Sequence, residues 1–249
     1  MSSSLTGKTA LVTGSTSGIG RAVADLLAER GAHVIVSGRD AGRGAQAVEA
    51  IRAAGGKADF VQADLTSADG ARALAREASA ITGRIDVLVN NAGIFPFAPT
   101  ADTTEEILDT VYAVNVKAPF LLVAELAPAM AARGGGAIVN ISSVVATRGS
   151  KDAVVYALSK AALDNLSRSW TAEFAASGVR VNTVSPGPIV TEGARDLLTA
   201  NRDAFEARVP AGRLGEPREV AAAVAFLAAD EAGFVHGANL TADGGFTAA

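Results

Sequence analysis

A phenol and an ammonium stand one helical turn apart in Tyr156-Ala157-Leu158-Ser159-Lys160, and Ser143 precedes the tyrosine by thirteen residues. At this spacing two side chains share a helix face, with Cβ atoms about 5–6 Å apart. A free phenol has a pKa of about 10, too high for efficient proton donation at neutral pH. A nearby ammonium favours phenolate and lowers that value. Ser143, at a predicted strand end, is placed to hydrogen-bond the same substrate oxygen. In isolation, Y-x-x-x-K describes a half-buried tyrosine beside a surface lysine. Only two tyrosines occur in this chain, and Tyr112 has no lysine four residues later.

A second chemical element lies near the start, in Thr13-Gly14-Ser15-Thr16-Ser17-Gly18-Ile19-Gly20. Gly14 and Gly18 let the backbone bend and approach a pyrophosphate, and Gly20 lets a helix pack closely on a sheet. The helix N-terminus offers free N–H groups and a positive dipole end. The spacing G-x-x-x-G-x-G differs from the G-x-G-x-x-G fingerprint. With 26 glycines in the chain, such spacings are easy to find. The weight of this one comes from its position between the first strand and the first helix. The two elements together suggest proton transfer coupled to a nucleotide cofactor.

The elements that must position these groups follow an alternating pattern. Strands are predicted at Thr9–Thr13, His33–Ser37, Asp59–Gln62, Ile85–Val89, Ala137–Ile141, Val179–Val184 and Asn239–Thr241. Helices are predicted at Ile19–Arg30, Ala41–Ala54, Ala68–Ile81, Val155–Ala176 and Glu216–Ala229, with a long one from Thr103 kinked near Pro119. Apolar strands alternating with helices mean a parallel sheet covered on both faces. The expected fold class is α/β: a doubly wound, Rossmann-like sheet of about seven parallel strands in one domain spanning 1–249. The irregular Pro186–Gly215 stretch is expected to carry a short helix and to act as a substrate lid.

Ligands of open α/β sheets bind beyond the carboxyl ends of the strands. Every polar or glycine-rich cluster here falls at that end: Gly14 to Gly20, Ser37-Gly38-Arg39, Asp64-Leu65, Asn90-Asn91-Ala92-Gly93, Ser142-Ser143 and Ser185-Pro186-Gly187. NAD sites usually place an acid after the second strand, and NADP sites an arginine nearby. Ser37-Gly38-Arg39 supplies hydroxyl and arginine with no acid at the strand tip, which predicts NADP(H) with Arg39 on the 2′-phosphate. Asp40 as a ribose acid in a shifted register, with Arg39 merely solvated, is the alternative. Asp64 fits an adenine contact or a turn cap equally. Asn115, a polar amide in an apolar helical stretch, fits a catalytic or a structural role equally and needs partners either way.

Composition excludes several classes. The 249 residues are 49% hydrophobic, and 22 basic against 26 acidic residues give a net charge of −4 without runs of like charge. That gives no electrostatic footprint for nucleic acid or an anionic membrane. Without cysteine there are no disulfides, thiolate metal sites or cysteine nucleophiles, and His33 and His236 are too few for a histidine-rich metal cluster. The Met1–Lys8 head lacks the apolar core of a signal peptide. The apolar Val111–Ala132 stretch is interrupted by Asn115, Lys117, Pro119, Glu125 and Pro128, so a membrane span is not expected. A cytoplasmic location is expected. A hydrolase is disfavoured by the absence of G-x-S-x-G.

Jointly these motifs resemble the short-chain dehydrogenase/reductase family over Lys8 to Gly245, nearest to its β-ketoacyl carrier-protein reductases. The resemblance implies an Asn115/Ser143/Tyr156/Lys160 tetrad. Tyr156 would be the general acid/base, Ser143 would hold the substrate carbonyl, and Lys160 would bind the nicotinamide ribose and tune the tyrosine. Asn115 would hold a water in a proton relay. It also implies that Ile189 and Thr191 contact the nicotinamide carboxamide and phosphates, that Asp64 and Leu65 flank the adenine, and that Asn91 and Gly93 line the cleft. Members commonly form tetramers through the helices after the fourth and fifth strands. Two positions depart from the pattern. Leu158 replaces a small residue beside the tyrosine. Ser177 stands where the carrier-protein reductases tend to place a basic residue, so a small ketone, aldehyde or secondary alcohol ranks above a carrier-bound substrate. A non-catalytic NADP-binding regulator is the rival from another class. Phe95, Phe97, Val145 and Leu197 are candidate apolar pocket residues.

Overall fold

The computed structural model describes residues 4–248, with all their side chains except those of Asp196 and Leu197. Seven strands form one parallel sheet: β1 (Thr9–Val12), β2 (His33–Gly38), β3 (Lys57–Gln62), β4 (Val87–Asn90), β5 (Gly136–Ile141), β6 (Val179–Pro186) and β7 (Asn239–Ala242). Their order is β3-β2-β1-β4-β5-β6-β7. The chain therefore reverses direction of travel across the sheet between β1 and β4. This is the switch point where the connections at the carboxyl ends part and leave a crevice. Every residue of β1, β4 and β6 is buried, as the apolar runs require when helices cover both faces.

Helices α1 (Gly18–Glu29), α2 (Ala41–Ala53) and, from the far end of the chain, Pro217–Ala228 pack on one face. Leu27, Val48 and Val224 close a common core there with Val34 and Val139 of the sheet. On the other face α3 (Ala68–Thr82) joins two helices of the chain's middle, Ala118–Ala132 and Val154–Phe174. Leu74, Leu122, Leu163 and Trp170 pack there against Leu11, Leu88 and Ile138. Strand residues alternate between the two cores, as a period of two demands.

The predicted long middle helix is three pieces: α4 (Glu105–Tyr112), a π-helical turn at Ala113–Lys117, and α5 (Ala118–Ala132). The irregularity precedes Pro119 rather than sitting on it. Proline at the start of α5 lacks only an N–H that a new helical segment leaves unused. Glu105–Ala132 is long and apolar enough to cross a membrane, with an 18-residue window of mean hydropathy 1.5. Its α5 portion instead buries Leu122, Val123, Leu126 and Met130 against the sheet and α3.

Helix α6 (Val154–Phe174) follows β5 and carries the tyrosine and lysine. The lid region holds two short helices rather than one, α7 (Arg195–Ala200) and α8 (Arg202–Glu206), before α9 (Pro217–Ala228). Its two ends are tied together where Val190 N–H donates to Gly215 O at 2.9 Å and Gly215 N–H to Pro188 O at 3.0 Å.

Candidate active site

The carboxyl ends of the strands open into one cleft of about 1440 Å³. Gly14, Ser17, Gly18, Ile19, Gly20, Ser37, Arg39, Asp64, Leu65, Asn91, Ala92, Gly93, Ser143, Tyr156, Lys160, Pro186, Gly187, Ile189 and Thr191 all line it. Of the catalytic and cofactor-binding residues expected from sequence, two do not.

Ser15 is one. It is fully buried, donates from Oγ to Val12 O at 2.7 Å and accepts from Ser37 N–H at 3.0 Å. It therefore staples β1 to β2 from behind the turn, while Ser17, two residues on, faces the cleft. Asn115, the other, is wholly buried beneath the floor.

The glycine turn forms a cradle. Gly14 and Gly18 have φ of +62° and +55°, a region that L side chains rarely adopt. A Cβ on Gly14 would lie 2.9 Å from Ala92 Cα, and one on Gly20 would lie 2.4 Å from Gly14 O. Asn91 holds the cradle's shape by donating from Nδ2 to Thr13 O at 2.9 Å and Gly14 O at 3.0 Å. Ser17, at the N-cap of α1, makes no capping bond with its side chain. The first N–H groups of α1 and this hydroxyl thus remain available to an anion. Ser37 Oγ is buried without a hydrogen-bond partner, which points to a polar ligand group beside it. These features fit a dinucleotide phosphate and its ribose.

At the tip of β2, Arg39 is exposed and lines the cleft, and its positive charge acts on Asp64. Asp40 lines the cleft as well, but its Oδ1 accepts from Arg43 N–H at 3.0 Å and so caps α2. Asp64 accepts from Thr66 N–H at 3.0 Å and from Thr66 Oγ1 at 2.8 Å, which holds its carboxyl below the ordinary carboxylate value. Its carboxylate is a turn cap. Arg43 also lines the cleft, and its Nη1 lies 3.7 Å from Glu192 Oε2 at the start of the lid. Thr16 lies against Gly38, where an added Cβ would come within 2.7 Å of its Cγ2. Neither residue was singled out from sequence, and Arg43's placement one turn into α2 is the one signal that pointed to it.

The acid–base group is built by three elements. Ser143, beyond β5, and Tyr156 on α6 face the same cleft. Lys160 Nζ donates to Ile141 O at 2.7 Å and lies 5.7 Å from the centre of the Tyr156 ring. Burial pushes the Tyr156 phenol above its ordinary pKa, and the nearby Ser143 hydroxyl opposes this only in part. The expected lowering by the ammonium does not dominate, because Lys160 points at a main-chain carbonyl beneath the ring. Lys160 itself is lowered to about 8 by burial, with Asp164 one turn on acting in the opposite direction.

Asn115 sits in the π turn, whose extra residue per turn rotates it toward β4's loop. Its Oδ1 accepts from Ile94 N–H at 2.9 Å, and its Nδ2 donates to Ile94 O at 2.9 Å and to Ser159 Oγ at 3.0 Å. Ser159 Oγ in turn donates to Tyr156 O at 2.7 Å. Both amide hydrogens are engaged, so none is left to hold a water. Asn115 brackets the Gly93-Ile94 loop to the tyrosine's own helix. Gly93 is bare where a Cβ would stand 3.4 Å from Asn115 Oδ1 and 3.5 Å from Lys160 Nζ.

Phe95, Phe97 and Val145 do line the cleft, and the Phe95 and Tyr156 ring centres are 6.2 Å apart. The Leu197 side chain lies outside the described residues, whereas Leu198 is buried and lines the cleft. Leu158 is 59% exposed, so the departure noted there faces away from the tyrosine.

Residues 14–247 match the family described as enoyl-(acyl carrier protein) reductase. The chain is 44% identical over 243 residues to cis-4-hydroxycyclohexanecarboxylate dehydrogenase of Sinomonas cyclohexanicum, covering 97% of each chain. It is 40% identical over 241 residues to a 3-oxoacyl-[acyl-carrier-protein] reductase of Vibrio cholerae, covering 97% of this chain and 98% of that one. A crystal structure of gluconate 5-dehydrogenase from Burkholderia cenocepacia in complex with NADP and tartrate superimposes with a TM-score of 0.94 at 36% identity, covering 99% of this chain and 97% of that one. A short chain dehydrogenase/reductase family protein of solved structure is 46% identical and superimposes with a TM-score of 0.89, covering 99% of this chain and 100% of that one. Together with the family match over residues 14–247, this shows that the chain belongs to the short-chain dehydrogenase/reductase family.

Proposed function

We propose that this chain interconverts a secondary alcohol and a ketone, or an alcohol and an aldehyde, using NADP(H). The observation that carries the reading is the convergence of Ser143, Tyr156 and Lys160 on the same cleft as the glycine cradle. The cradle of Gly14, Ser17, Gly18 and the α1 N-terminus would hold the pyrophosphate. Ser37 and Arg39 would hold the adenosine ribose and its 2′-phosphate, since Asp40 is occupied in capping α2. Bound there, the nicotinamide supplies or accepts a hydride. Ser143 and Tyr156 hydroxyls hold the substrate oxygen, and the Tyr156 phenol donates the proton to it in reduction or accepts it in oxidation. The Lys160 ammonium stabilises the phenolate left after donation, and Asn115 keeps the loop and helix in register.

Relatives that act on small alcohols support a small substrate, and Ser177 offers no positive charge to an acidic carrier protein. Removing the phenol tests the reading. Tyr156→Phe is expected to abolish NADP⁺-dependent oxidation while NADPH still binds by fluorescence titration. Undiminished turnover in that variant would sink it.

The same reading takes the enzyme to be a homotetramer. Tyr112, Phe120 and Leu158, on the middle helices that such assemblies pair, are 57%, 48% and 59% exposed. Light scattering at micromolar concentration distinguishes a tetramer from a monomer.

A further inference from the structure

The substrate end of the cleft differs in charge from the chain as a whole. Arg148 follows the β5 loop, Arg208 follows α8 of the lid, and Phe246 stands near the chain's end; all three line the cleft. The guanidinium carbons of Arg148 and Arg208 each lie 4.9 Å from the centre of the Phe246 ring. Arg148 Nη1 also donates to Phe246 O at 2.6 Å. The ring is held in place by its surroundings. Asp243 accepts from Gly245 N–H at 2.9 Å and Thr247 N–H at 2.8 Å, and Ala211 N–H donates to Gly244 O at 3.0 Å.

Neither arginine has a carboxylate partner within ion-pair distance among the described residues. Glu206 pairs instead with Arg202 at 2.8 Å, and Asp243 serves the terminal turn. Lys151 adds a third cation to this end of the cleft, against the single acid Asp152. Two guanidinium groups at one aromatic ring repel each other at a range comparable with the screening length of about 8 Å in physiological salt. Cation–π attraction holds both cations at the ring. A carboxylate placed between them relieves the repulsion and gains the forked geometry that arginine offers. The cleft that holds both this lip and Tyr156 is also lined by the apolar Phe95, Phe97, Val145, Leu198 and Phe205.

We infer that the substrate is a hydroxy or oxo acid: a carbonyl or secondary alcohol at Tyr156, a compact apolar body against the phenylalanines, and a carboxylate between Arg148 and Arg208. This rests on the proposed oxidoreductase reading and adds what that reading leaves open, since a neutral cyclic alcohol would satisfy the acid–base group equally well.

Two isosteric probes that cannot react separate the inference from the activity. Cyclohexanecarboxylate and cyclohexanecarboxamide are titrated calorimetrically into the full chain, with and without saturating NADP⁺. The acid is expected to bind at least about tenfold more tightly than the amide, with the difference shrinking as salt rises. In Arg148→Gln/Arg208→Gln the ratio is expected to fall to about one, and Arg208→Lys, which keeps the charge, should retain more of it than Arg208→Gln. Circular dichroism of each variant establishes that it is folded. Equal affinity for acid and amide in the native chain, or failure of both to bind, overturns the inference even if alcohols are oxidised. A strong preference for the acid without oxidation of 4-hydroxycyclohexanecarboxylate or cyclohexanol would instead uphold the cationic lip and overturn the oxidoreductase reading.

Discussion

Lys160 is a charge that the fold tolerates at a disadvantage, and replacing it should make the protein more stable and inactive at once. The ammonium is 4% exposed, and burial lowers its pKa from the ordinary 10.5 to about 8. At about 1.4 kcal/mol per tenfold change in proton affinity, holding that proton costs the folded state about 3 kcal/mol at neutral pH. Lys160→Met keeps the length and removes the charge. It also removes the donor to Ile141 O, which costs about 1–2 kcal/mol if the carbonyl stays buried and unpaired. The variant is therefore expected to gain about 1 kcal/mol at pH 7, a rise of about 2–4 °C in melting temperature for a chain of this size.

The pH dependence is the sharper readout. A lysine whose pKa is depressed on folding destabilises most below the folded value. As pH rises from about 8 toward 10.5, the folded chain has released its proton while the unfolded chain still holds it, so native stability climbs. The methionine variant lacks that climb. Its advantage should vanish and reverse within this window, the two stability curves converging by up to about 1.4 kcal/mol per pH unit. Urea unfolding followed by Trp170 fluorescence at pH 7, 8.5 and 9.5, at fixed protein concentration, measures it. Parallel curves would refute the argument that burial governs this lysine. Turnover should be lost in the variant at every pH.

Three further outcomes follow from the geometry. Arg39→Ala should raise the KM for NADPH at least about tenfold and leave that for NADH nearly unchanged, because only the former carries the 2′-phosphate; equal losses in steady-state assays would remove Arg39 from that role. Gly20→Ala would put a methyl 2.3 Å from Asn91 Nδ2 and 2.4 Å from Gly14 O, so both cofactor affinity and stability should fall, the latter by about 1–3 kcal/mol in denaturant titration. Asn115→Ala would strip the Ile94 N–H and C=O of their partner, and an unfolding loss of about 2 kcal/mol with a lower kcat at unchanged cofactor affinity is expected.

The fold was legible because its signals are local and repeated. Seven apolar runs separated by helices leave few arrangements other than a doubly wound parallel sheet, and the strand-end clusters named the cleft before any coordinate did. Residues whose fate turns on a single peptide's orientation were not legible. Ser15 and Ser17 are alike in type and two positions apart, yet one staples the strands and the other faces the cleft. The Arg148–Phe246–Arg208 cluster joins segments far apart in the chain and carries no periodicity, so only the packing of the last turn on Ala211 brings it together. The state of Tyr156 was misjudged for a related reason. Spacing shows that an ammonium is near, but whether its charge or the surrounding apolar volume governs the phenol depends on burial, which spacing does not show.

The π turn shows why Asn115 reads ambiguously in sequence and not in structure. In a regular α-helix from Glu105 to Ala132, inserting one residue would rotate everything after it by about 100° and turn the apolar face of α5 away from the sheet. Placing the extra residue in a π turn absorbs that rotation locally, so Val111 before it and Leu122, Leu126 and Met130 after it are all buried. The turn also brings a polar side chain to a fully buried point between the β4 loop and α6, where Ile94 and Ser159 engage both its amide hydrogens and its oxygen. The catalytic and structural readings of this asparagine thus converge. Its structural bonds fix the loop that carries Gly93 against the helix that carries Tyr156 and Lys160, and an acid–base pair works only while that spacing holds.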